Sequence, residues 1–381
     1  MDLGFCNVKK SCLRRVRTFA PSLCGGAWLH RQRAPFDSVC PGLQLGCGFP
    51  SSLEVPHTYL VARNSKANER PHLDRLQGTP QAGHAQDAEE MFRFACLAAV
   101  ATAAAAYKPV IMMHGVGSDR HEMDTLVRLI EARGGGAVAT TLPLYENDAS
   151  FLTPLPKQVD GVAAAIRALV AANASRYADG YHLVCKSQGG LICRCAVEAM
   201  ADHAVDTLVS LAGPQMGVYG AAFFASIKVP LLENATAATV WRVAYTRLAQ
   251  ATISDANMWH DPSHLDSYYE HDKFLPGFTD RATPAMKANF VRLAKAVFCV
   301  GSGSPYDGGI EPYQSGVFGF VDAAGAVVDM PQQGVYANDT FGLKTLDDSG
   351  RLNLTVVPGV RHGDWTGNDD VITRYVLPHL S

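Results

Sequence analysis

The sequence predicts an α/β fold in which helices cover both faces of a mostly parallel sheet. Two observations lead to this class. Short apolar runs alternate with helical patterns from residue 109 onward, as in successive β-α-β units. The first run, 109–113, is apolar throughout, which is typical of an inner strand that is buried on both faces.

The elements follow one another in regular order. Strands are predicted where short apolar runs occur, and helices where apolar residues recur at the spacing of helical turns. The glycine run at 134–136 ends the first helix. In chain order the predictions are strands at 109–113, 137–144, 182–185, 206–211, 296–300 and 352–357, and helices at 123–130, 159–170, 191–197 and 371–377.

The alternation stops between 215 and 295, where the chain has helical patterns and many aromatic residues. In this class of fold, ligands bind beyond the carboxyl ends of the strands, and an insertion there can cover them. We therefore predict a lid insertion at about 215–295, with some of its aromatic side chains lining a groove. The alternative is a helical subdomain with a core of its own.

Residues 1–90 differ from the rest of the chain. They contain five of the ten cysteines and no sustained strand or helix periodicity. Residues 91–106 start with Met91, carry one positive charge and continue as an alanine-rich apolar run, which is the pattern of a signal peptide. We expect translation to start at Met91 and cleavage to fall near Ala106, with 1–90 disordered or foreign to the native protein. The alternative is an internal alanine-rich helix after a disordered extension.

The composition limits the kinds of partner. With 48% hydrophobic residues, 18% charged residues and a net charge of −3, the chain resembles an ordinary globular domain and lacks the basic excess of a nucleic-acid binder. The apolar run at 94–106 is shorter than the about 20 apolar residues of a transmembrane helix. The Cys and His spacings match no zinc site. We expect a monomer without metal, cofactor, nucleic-acid partner or transmembrane segment.

Ser187 occupies the turn between the third strand and the next helix. In a nucleophile elbow, a sharp turn of this kind exposes a serine hydroxyl above a parallel sheet, and small neighbours allow close packing. Gly189 and Gly190 are such neighbours, but Cys185 stands at the first position of the usual Gly-x-Ser-x-Gly pattern. The motif by itself leaves open that Ser187 is only a helix N-cap.

A serine nucleophile needs a general base and an acid that orients the base. In α/β-hydrolases these residues follow in the order serine, acid, histidine, each on a loop after a strand. Asp307 follows the strand at 296–300 and precedes two glycines, and His362 follows the strand at 352–357. This agreement predicts an α/β-hydrolase fold with Ser187, Asp307 and His362 as the catalytic residues. The competing candidates are Glu311 and Asp322 for the acid, and His260, His264, His271 and His379 for the base.

Two backbone N–H groups are predicted to form the oxyanion hole. One belongs to Gln188, directly after the serine, and the other to Val116, in the glycine-rich turn after the first strand. His114 of the same turn is predicted to hold the turn in shape.

These motifs, and others further along the chain, resemble those of the palmitoyl-protein thioesterases. The sequences Trp259-His-Asp-Pro262 and Phe341-Gly-Leu-Lys-Thr-Leu346 are specific to that family. The matching stretches run in the same order over nearly all of 107–381, at 107–111, 114–115, 182–194, 213–220, 259–262, 318–320 and 339–346.

The resemblance implies an α/β-hydrolase that cleaves long-chain fatty acyl thioesters, such as palmitoyl-CoA or S-palmitoyl thiols, through an acyl-enzyme in the lysosome. The family's triad falls on Ser187, Asp307 and His362. Two departures stand out. Lys186 replaces the tyrosine that the most similar branch of the family has beside the nucleophile, which changes the local charge. Two further disulfides of that branch have no cysteines here, which predicts a looser lid.

The cysteines beside the serine have two interpretations. From the sequence alone, Cys185 and Cys193 could form a disulfide or remain two buried thiols. The resemblance implies the disulfide, because the same two positions are bonded in the most similar branch of the family.

Export would also expose Asn-x-Ser/Thr sequons to glycosylation. The expected sites are Asn173, Asn234 and Asn338, whereas Asn353 lies in a predicted strand and is the least expected.

Two other functions are compatible with this set of motifs. A lipase or carboxylesterase would use the same triad on oxygen esters. A non-catalytic acyl-lipid binding protein could share the fold, although the complete triad argues against it.

Overall fold

The computed structural model describes residues 107–220, 237–303 and 307–381. The predicted signal peptide, its boundaries at 90 and 106, and the sequon at Asn234 lie outside this part of the chain. Its strands are β1 Val110–Met113, β2 Ala139–Thr141, β3 Tyr181–Lys186, β4 Val205–Leu211, β5 Lys295–Ser302, β6 Phe320–Val321, β7 Val327–Val328 and β8 Leu352–Pro358.

The helices of the described residues lie between and after these strands. The longer ones, α3 and α4, precede and follow β3, as the sequence pattern predicts. In chain order the helices are α1 Asp124–Arg133, α2 Asp148–Leu152, α3 Leu155–Ala172, α4 Gln188–Ala199, α5 Ala237–Ala244, α6 Arg247–Thr252, α7 Leu265–His271, α8 Leu275–Phe278, α9 Pro284–Phe290, α10 Gly334–Ala337, α11 Leu343–Asp348, α12 Asp364–Gly367 and α13 Asp369–Tyr375.

The main sheet has the strand order β2-β1-β3-β4-β5-β8, and every neighbouring pair in it is parallel. The chain runs from β1 outward to β2 and then returns to β3 on the other side of β1. The strand order therefore reverses between β1 and β3, and ligands of open α/β sheets bind beyond the carboxyl ends of the strands at such a point. This arrangement confirms the predicted α/β-hydrolase class.

Strand β1 is buried on both faces, as its apolar run predicts. Val110 and Met112 pack in one hydrophobic cluster with residues of α1 and α13, while Ile111 and Met113 pack in a second cluster with residues of α3 and α4. All four side chains are at most 1% exposed. Burying a large apolar side chain contributes about 1.5–3 kcal/mol, so this strand anchors both layers of helices.

The described part of the insertion shares its core with the sheet. Tyr245, Trp259 and Tyr268 are buried in the same cluster as Leu191 and Val197 of α4. The alternative of a subdomain with a separate core therefore does not apply to these residues. The groove lined by aromatic side chains remains a prediction.

A buried arginine ties α4 to the insertion. The Nε group of Arg194 donates to Gln215 Oε1 at 2.7 Å, and its guanidinium also donates to the carbonyl oxygen of Phe278 at 2.9 Å. The same side chain forms an ion pair with Glu198 inside the helix. Because both charges are fully buried, removing one partner alone would be strongly destabilising.

The structure also corrects details of the sequence analysis. The second strand spans only Ala139–Thr141, shorter than the predicted 137–144, and the small antiparallel pair β6–β7 was not predicted. The last strand, β8, lies at the edge of the sheet, and this leaves Asn353 exposed. In the described ranges, no helix is long and apolar enough to cross a bilayer.

Candidate active site

Ser187 lies between the last residue of β3 and the first residue of α4. Its backbone has φ 55° and ψ −131°, a left-handed region that non-glycine residues rarely adopt and that often marks a functional site. Ser187 is positionally the N-cap of α4, but its side chain makes no capping hydrogen bond. The hydroxyl is therefore not engaged in holding the helix, and the geometry is that of a nucleophile elbow.

The two glycines after the serine are required by close packing. A Cβ at Gly189 would lie 2.4 Å from the carbonyl oxygen of His114, and a Cβ at Gly190 would lie 2.4 Å from Ser210 Oγ. Both distances are far shorter than van der Waals contact, and one of the opposing atoms is backbone. The elbow therefore packs directly against the turn after β1, and any larger residue would displace it.

Cys185 and Cys193 form a disulfide in the structure. The bond joins the end of β3 to the first turns of α4, on either side of Ser187. The other two cysteines of the described residues, Cys195 and Cys299, are buried free thiols. Desolvation by burial raises the pKa of both thiols, so neither is a reactive thiolate.

Replacing Cys185 and Cys193 together by alanine should lower the free energy of unfolding by about 2–3 kcal/mol, the loop-closure entropy expected for a loop of this length. Denaturant unfolding of the wild type and the variant, each with and without reductant, measures this effect. Reductant should destabilise the wild type and leave the variant unchanged. A wild type whose stability does not respond to full reduction would contradict the prediction.

His362 and Asp307 are brought together from two different loops. His362 Nδ1 lies 2.7 Å from Asp307 Oδ1, and the backbone N–H of His362 donates to the Asp307 carbonyl oxygen at 2.7 Å. The Asp307 residue is only 2% exposed. Its Oδ1 also accepts the N–H groups of Gly309 and Ile310 at 3.1 and 3.0 Å. A buried, fixed carboxylate of this kind orients an imidazole and stabilises its protonated form.

Ser187 Oγ and the Glu122 carboxylate lie on two sides of Gly115. A Cβ at Gly115 would lie 3.3 Å from Ser187 Oγ and 3.6 Å from the Glu122 carboxylate. No hydrogen bond joins the Ser187 hydroxyl to His362 or to any other residue that the structure describes, and such bonds are often long until substrate is bound.

Replacing Gly309 by alanine should lower kcat about 100-fold, because a Cβ there would lie 2.4–2.6 Å from Cγ, Nδ1 and Cδ2 of His362. The ring of the predicted base would have to move, and a shift of about 1 Å in a catalytic group has this order of effect. Steady-state kinetics on an acyl thioester measures the loss. The matched control is Gly363→Ala, where φ is −74° and a Cβ meets no atom within 4 Å. Equal activity of the two variants would contradict the prediction.

The turn after β1 is held on several sides. The two ring nitrogens of His114 lie 2.8 and 2.9 Å from the carbonyl oxygens of Gly115 and Leu144, which agrees with its predicted role in the turn. The N–H of Gly117 donates to Ser150 Oγ at 2.7 Å. The N–H of Val116, by contrast, has no acceptor among the described residues.

The side chain of Gln188 connects this turn to the elbow. Its Nε2 donates to the Ser150 carbonyl oxygen at 2.9 Å and to Gln158 Oε1 at 3.2 Å. As the first residue of α4, Gln188 has no intrahelical acceptor for its own N–H. The two N–H groups predicted for the oxyanion hole thus both remain available, in two segments that share Ser150 as a support.

Three residues near the site were not predicted from the sequence: Ser150, Gln158 and Glu122. Ser150 and Gln158 reach the site only through side-chain contacts with residues distant in the chain, and no sequence motif marks them. Glu122, on the short 3₁₀ helix Arg120–Met123, pairs with Lys186 and accepts the N–H of Gly115. Lys186 does carry a signal in the sequence, since it departs from the family pattern.

Two competing residues have structural roles instead. Asp322 is exposed in the turn between β6 and β7, where its Oδ1 accepts the N–H groups of Ala324 and Ala326 at 2.9 Å. His260 is stacked between Tyr268 and Phe320 and contacts the carbonyl oxygen of Met216. Desolvation by burial lowers the pKa of this histidine.

Comparisons with known proteins agree with the motifs. The family model described as palmitoyl protein thioesterase matches residues 109–362. The chain is 37% identical to lysosomal thioesterase PPT2 of Homo sapiens, over 75% of this chain and 92% of that protein. It is 36% identical to lysosomal thioesterase PPT2-B of Xenopus laevis, over 72% of this chain and 93% of that protein. The matched range includes Ser187, Asp307 and His362.

Solved structures match more distantly. The lipase BlEst2 of Bacillus licheniformis aligns at 15% identity over 72% of this chain and 93% of its own, with a TM-score of 0.39. A carboxyl esterase of Tuber melanosporum aligns at 14% identity over 71% of this chain and 73% of its own, with a TM-score of 0.41. The fold assignment rests on the sheet order and not on these alignments.

Proposed function

Since the chain belongs to the palmitoyl protein thioesterase family, we propose that it hydrolyses long-chain fatty acyl thioesters with Ser187 as nucleophile, His362 as general base and Asp307 as the orienting acid. The observation that carries the proposal is the hydrogen bond between His362 and the buried Asp307, on the loops after β8 and β5, at the same edge of the sheet as the Ser187 elbow. The enzyme acts as a monomer without metal or cofactor.

In the proposed mechanism, His362 Nε2 takes the proton of the Ser187 hydroxyl as Oγ attacks the thioester carbonyl carbon. The N–H groups of Gln188 and Val116 donate to the oxyanion. The C–S bond then breaks, the thiol leaves with the proton from His362, and the acyl group stays on Ser187. Water attacks this ester with His362 again as base, and the fatty acid is released.

The acyl chain is proposed to lie in a groove under the insertion at 215–295. Each buried methylene contributes about 0.8 kcal/mol. Because 1.36 kcal/mol corresponds to a tenfold change in rate, kcat/KM should rise about fourfold per added methylene until the groove is full.

The route through the cell is part of the proposal. The relatives are named lysosomal thioesterases, and residues 91–106 have the pattern of a signal peptide. We propose that residues 107–381 are the mature enzyme, that 1–90 are not part of it, and that it reaches the lysosome or is secreted. The proposed glycosylation sites are Asn173, Asn234 and Asn338, of which Asn338 is exposed and Asn173 half-buried.

The test is a substrate comparison with the full chain expressed in a eukaryotic host. Hydrolysis of palmitoyl-CoA is compared with hydrolysis of a matched oxygen ester. A higher kcat/KM for the thioester supports the proposal, and a higher value for the oxygen ester would move the protein to the lipases and carboxylesterases. Lipid binding by folded protein without turnover of either ester would favour the acyl-lipid binding function.

A further inference from the structure

A buried ion pair lies beside the proposed nucleophile. Lys186, the residue before Ser187, pairs with Glu122, and the two side chains are only 7% and 17% exposed. Lys186 ends β3, whereas Glu122 belongs to the 3₁₀ helix Arg120–Met123, which follows the turn after β1. The pair therefore joins the end of β3 to the segment that follows β1, and the strand order reverses between these two strands.

The two oxygens of the Glu122 carboxylate have different partners. Oε1 contacts Lys186 Nζ, and Oε2 accepts the N–H of Gly115 at 3.0 Å. Gly115 is in turn packed against the nucleophile, since a Cβ there would lie 2.9 Å from Ser187 Cβ. The Glu122 carboxylate thus orients the peptide group of Gly115, which is next to Val116. It also neutralises the charge of Lys186, which is next to Ser187.

Glu122 is held in its ionised form. Burial works to raise the pKa of its carboxyl, but the charge and hydrogen bond of Lys186 and the N–H of Gly115 outweigh burial and lower the pKa. The positive charge of His362 acts in the same direction.

We propose that Glu122 and Lys186 form a positioning pair for the reaction. The carboxylate holds the Gly115 peptide against Ser187 and neutralises the charge of Lys186, the residue before the serine. The role of His362 as base is taken from the proposed function, on which this inference rests. The pair acts through Gly115 and His362.

The charged groups around Glu122 are few. Lys186 faces it from β3, and His362, backed by Asp307, acts on it from the loop after β8. On its own helix, Arg120 and His121 are exposed; Arg120 is bound to Glu146, and His121 lies against the exposed Asp124. The test therefore changes the charges of Glu122 and Lys186 and follows the effect on the proposed base, His362.

The test is the pH dependence of kcat/KM in Glu122→Gln, Lys186→Met and the double variant. The acid limb of the profile reports the pH at which the base becomes neutral. Glu122→Gln leaves the lysine charge unpaired, which should move the limb about 0.5–1 pH unit lower. Lys186→Met leaves the carboxylate unpaired and should move it higher by a similar amount. The double variant should lie between them.

A second readout tests the positioning of Gly115. An amide oxygen can still accept the Gly115 N–H, so Glu122→Gln should lose about tenfold in kcat with KM nearly unchanged, and Glu122→Ala should lose clearly more. The control is Arg128→Met, which breaks an exposed pair with Asp369 and should leave the profile unchanged. Melting temperatures verify that each variant is folded.

The inference would be overturned if the acid limb stayed in place in both single variants. It would also be overturned if the limb moved in the same direction in both. Labelling of Ser187 by a fluorophosphonate is followed in parallel, because it reports on the serine whatever the acyl substrate is. If the wild type does not hydrolyse palmitoyl thioesters, the labelling and its pH shifts can still be observed. If the pair has no positioning role, the pH shifts are absent while the wild type still hydrolyses the thioester.

Discussion

Replacing Ser187 with alanine is expected to lower kcat for a palmitoyl thioester by about 10⁴- to 10⁶-fold, the range seen when a triad nucleophile is removed. In the proposed mechanism this hydroxyl forms the acyl-enzyme, and the described residues place no other serine on a strained turn at the end of a sheet strand. A residual rate remains because backbone donors can still stabilise the oxyanion. Single-turnover kinetics with palmitoyl-CoA measures the change.

Two further observations make this experiment decisive. The wild type, quenched during turnover, should carry a palmitoyl group on the peptide that contains Ser187, whereas the variant should not. Ser263→Ala is the control, because that side chain is exposed on another segment. Thioester turnover that survives in Ser187→Ala would remove Ser187 from the mechanism. Since the elbow already lacks a side-chain cap, the variant should unfold at nearly the same temperature as the wild type.

Replacing Asp307 with asparagine should lower kcat by about 10³- to 10⁴-fold. Oδ1 of Asp307 is held by His362 Nδ1 and by two backbone N–H groups, so an amide oxygen could occupy nearly the same place. What the variant lacks is the negative charge that, in the proposed mechanism, stabilises the imidazolium of His362 when Ser187 gives up its proton. KM should change little, because the carboxylate is buried behind the hydrogen bond to His362.

The control for Asp307 is the competing acid of the sequence analysis. Asp322→Asn alters only an exposed turn between β6 and β7 and should keep wild-type kinetics. A large loss in Asp322→Asn with little loss in Asp307→Asn would reverse the assignment of the acid. Circular dichroism of both variants separates a catalytic loss from unfolding.

The order of strands and helices was largely predictable, because the periodic spacing of apolar residues can be read directly from the sequence. The run at 109–113 and the pattern around Ser187 each depend on neighbours within a few positions, and the structure has β1, β3 and α4 there. Elements with weaker patterns were predicted less well. The strand at 137–144 is three residues long in the structure, and the short pair β6–β7 lacks an alternating pattern long enough to be recognised.

The site was predictable in its residue types and their order along the chain, but not in its contacts. The sequence predicts His362 and Asp307 because each follows a strand, and the structure shows the hydrogen bond between them. The roles of Ser187, His362 and Asp307 in catalysis remain predictions. The Glu122–Lys186 pair could not be predicted from the sequence. The two residues are 64 positions apart, and no motif or run of charges connects them.

The sequence by itself determined the α/β class, the family and the residues that follow each strand, because these depend on local periodicity and on short motifs. Only the tertiary structure decided which charges meet. Burial is the reason: Glu122 and Lys186 form a strong pair only because both are withdrawn from water beside Ser187. Their proximity depends on two adjacent parallel strands, β1 and β3, that come from distant parts of the chain.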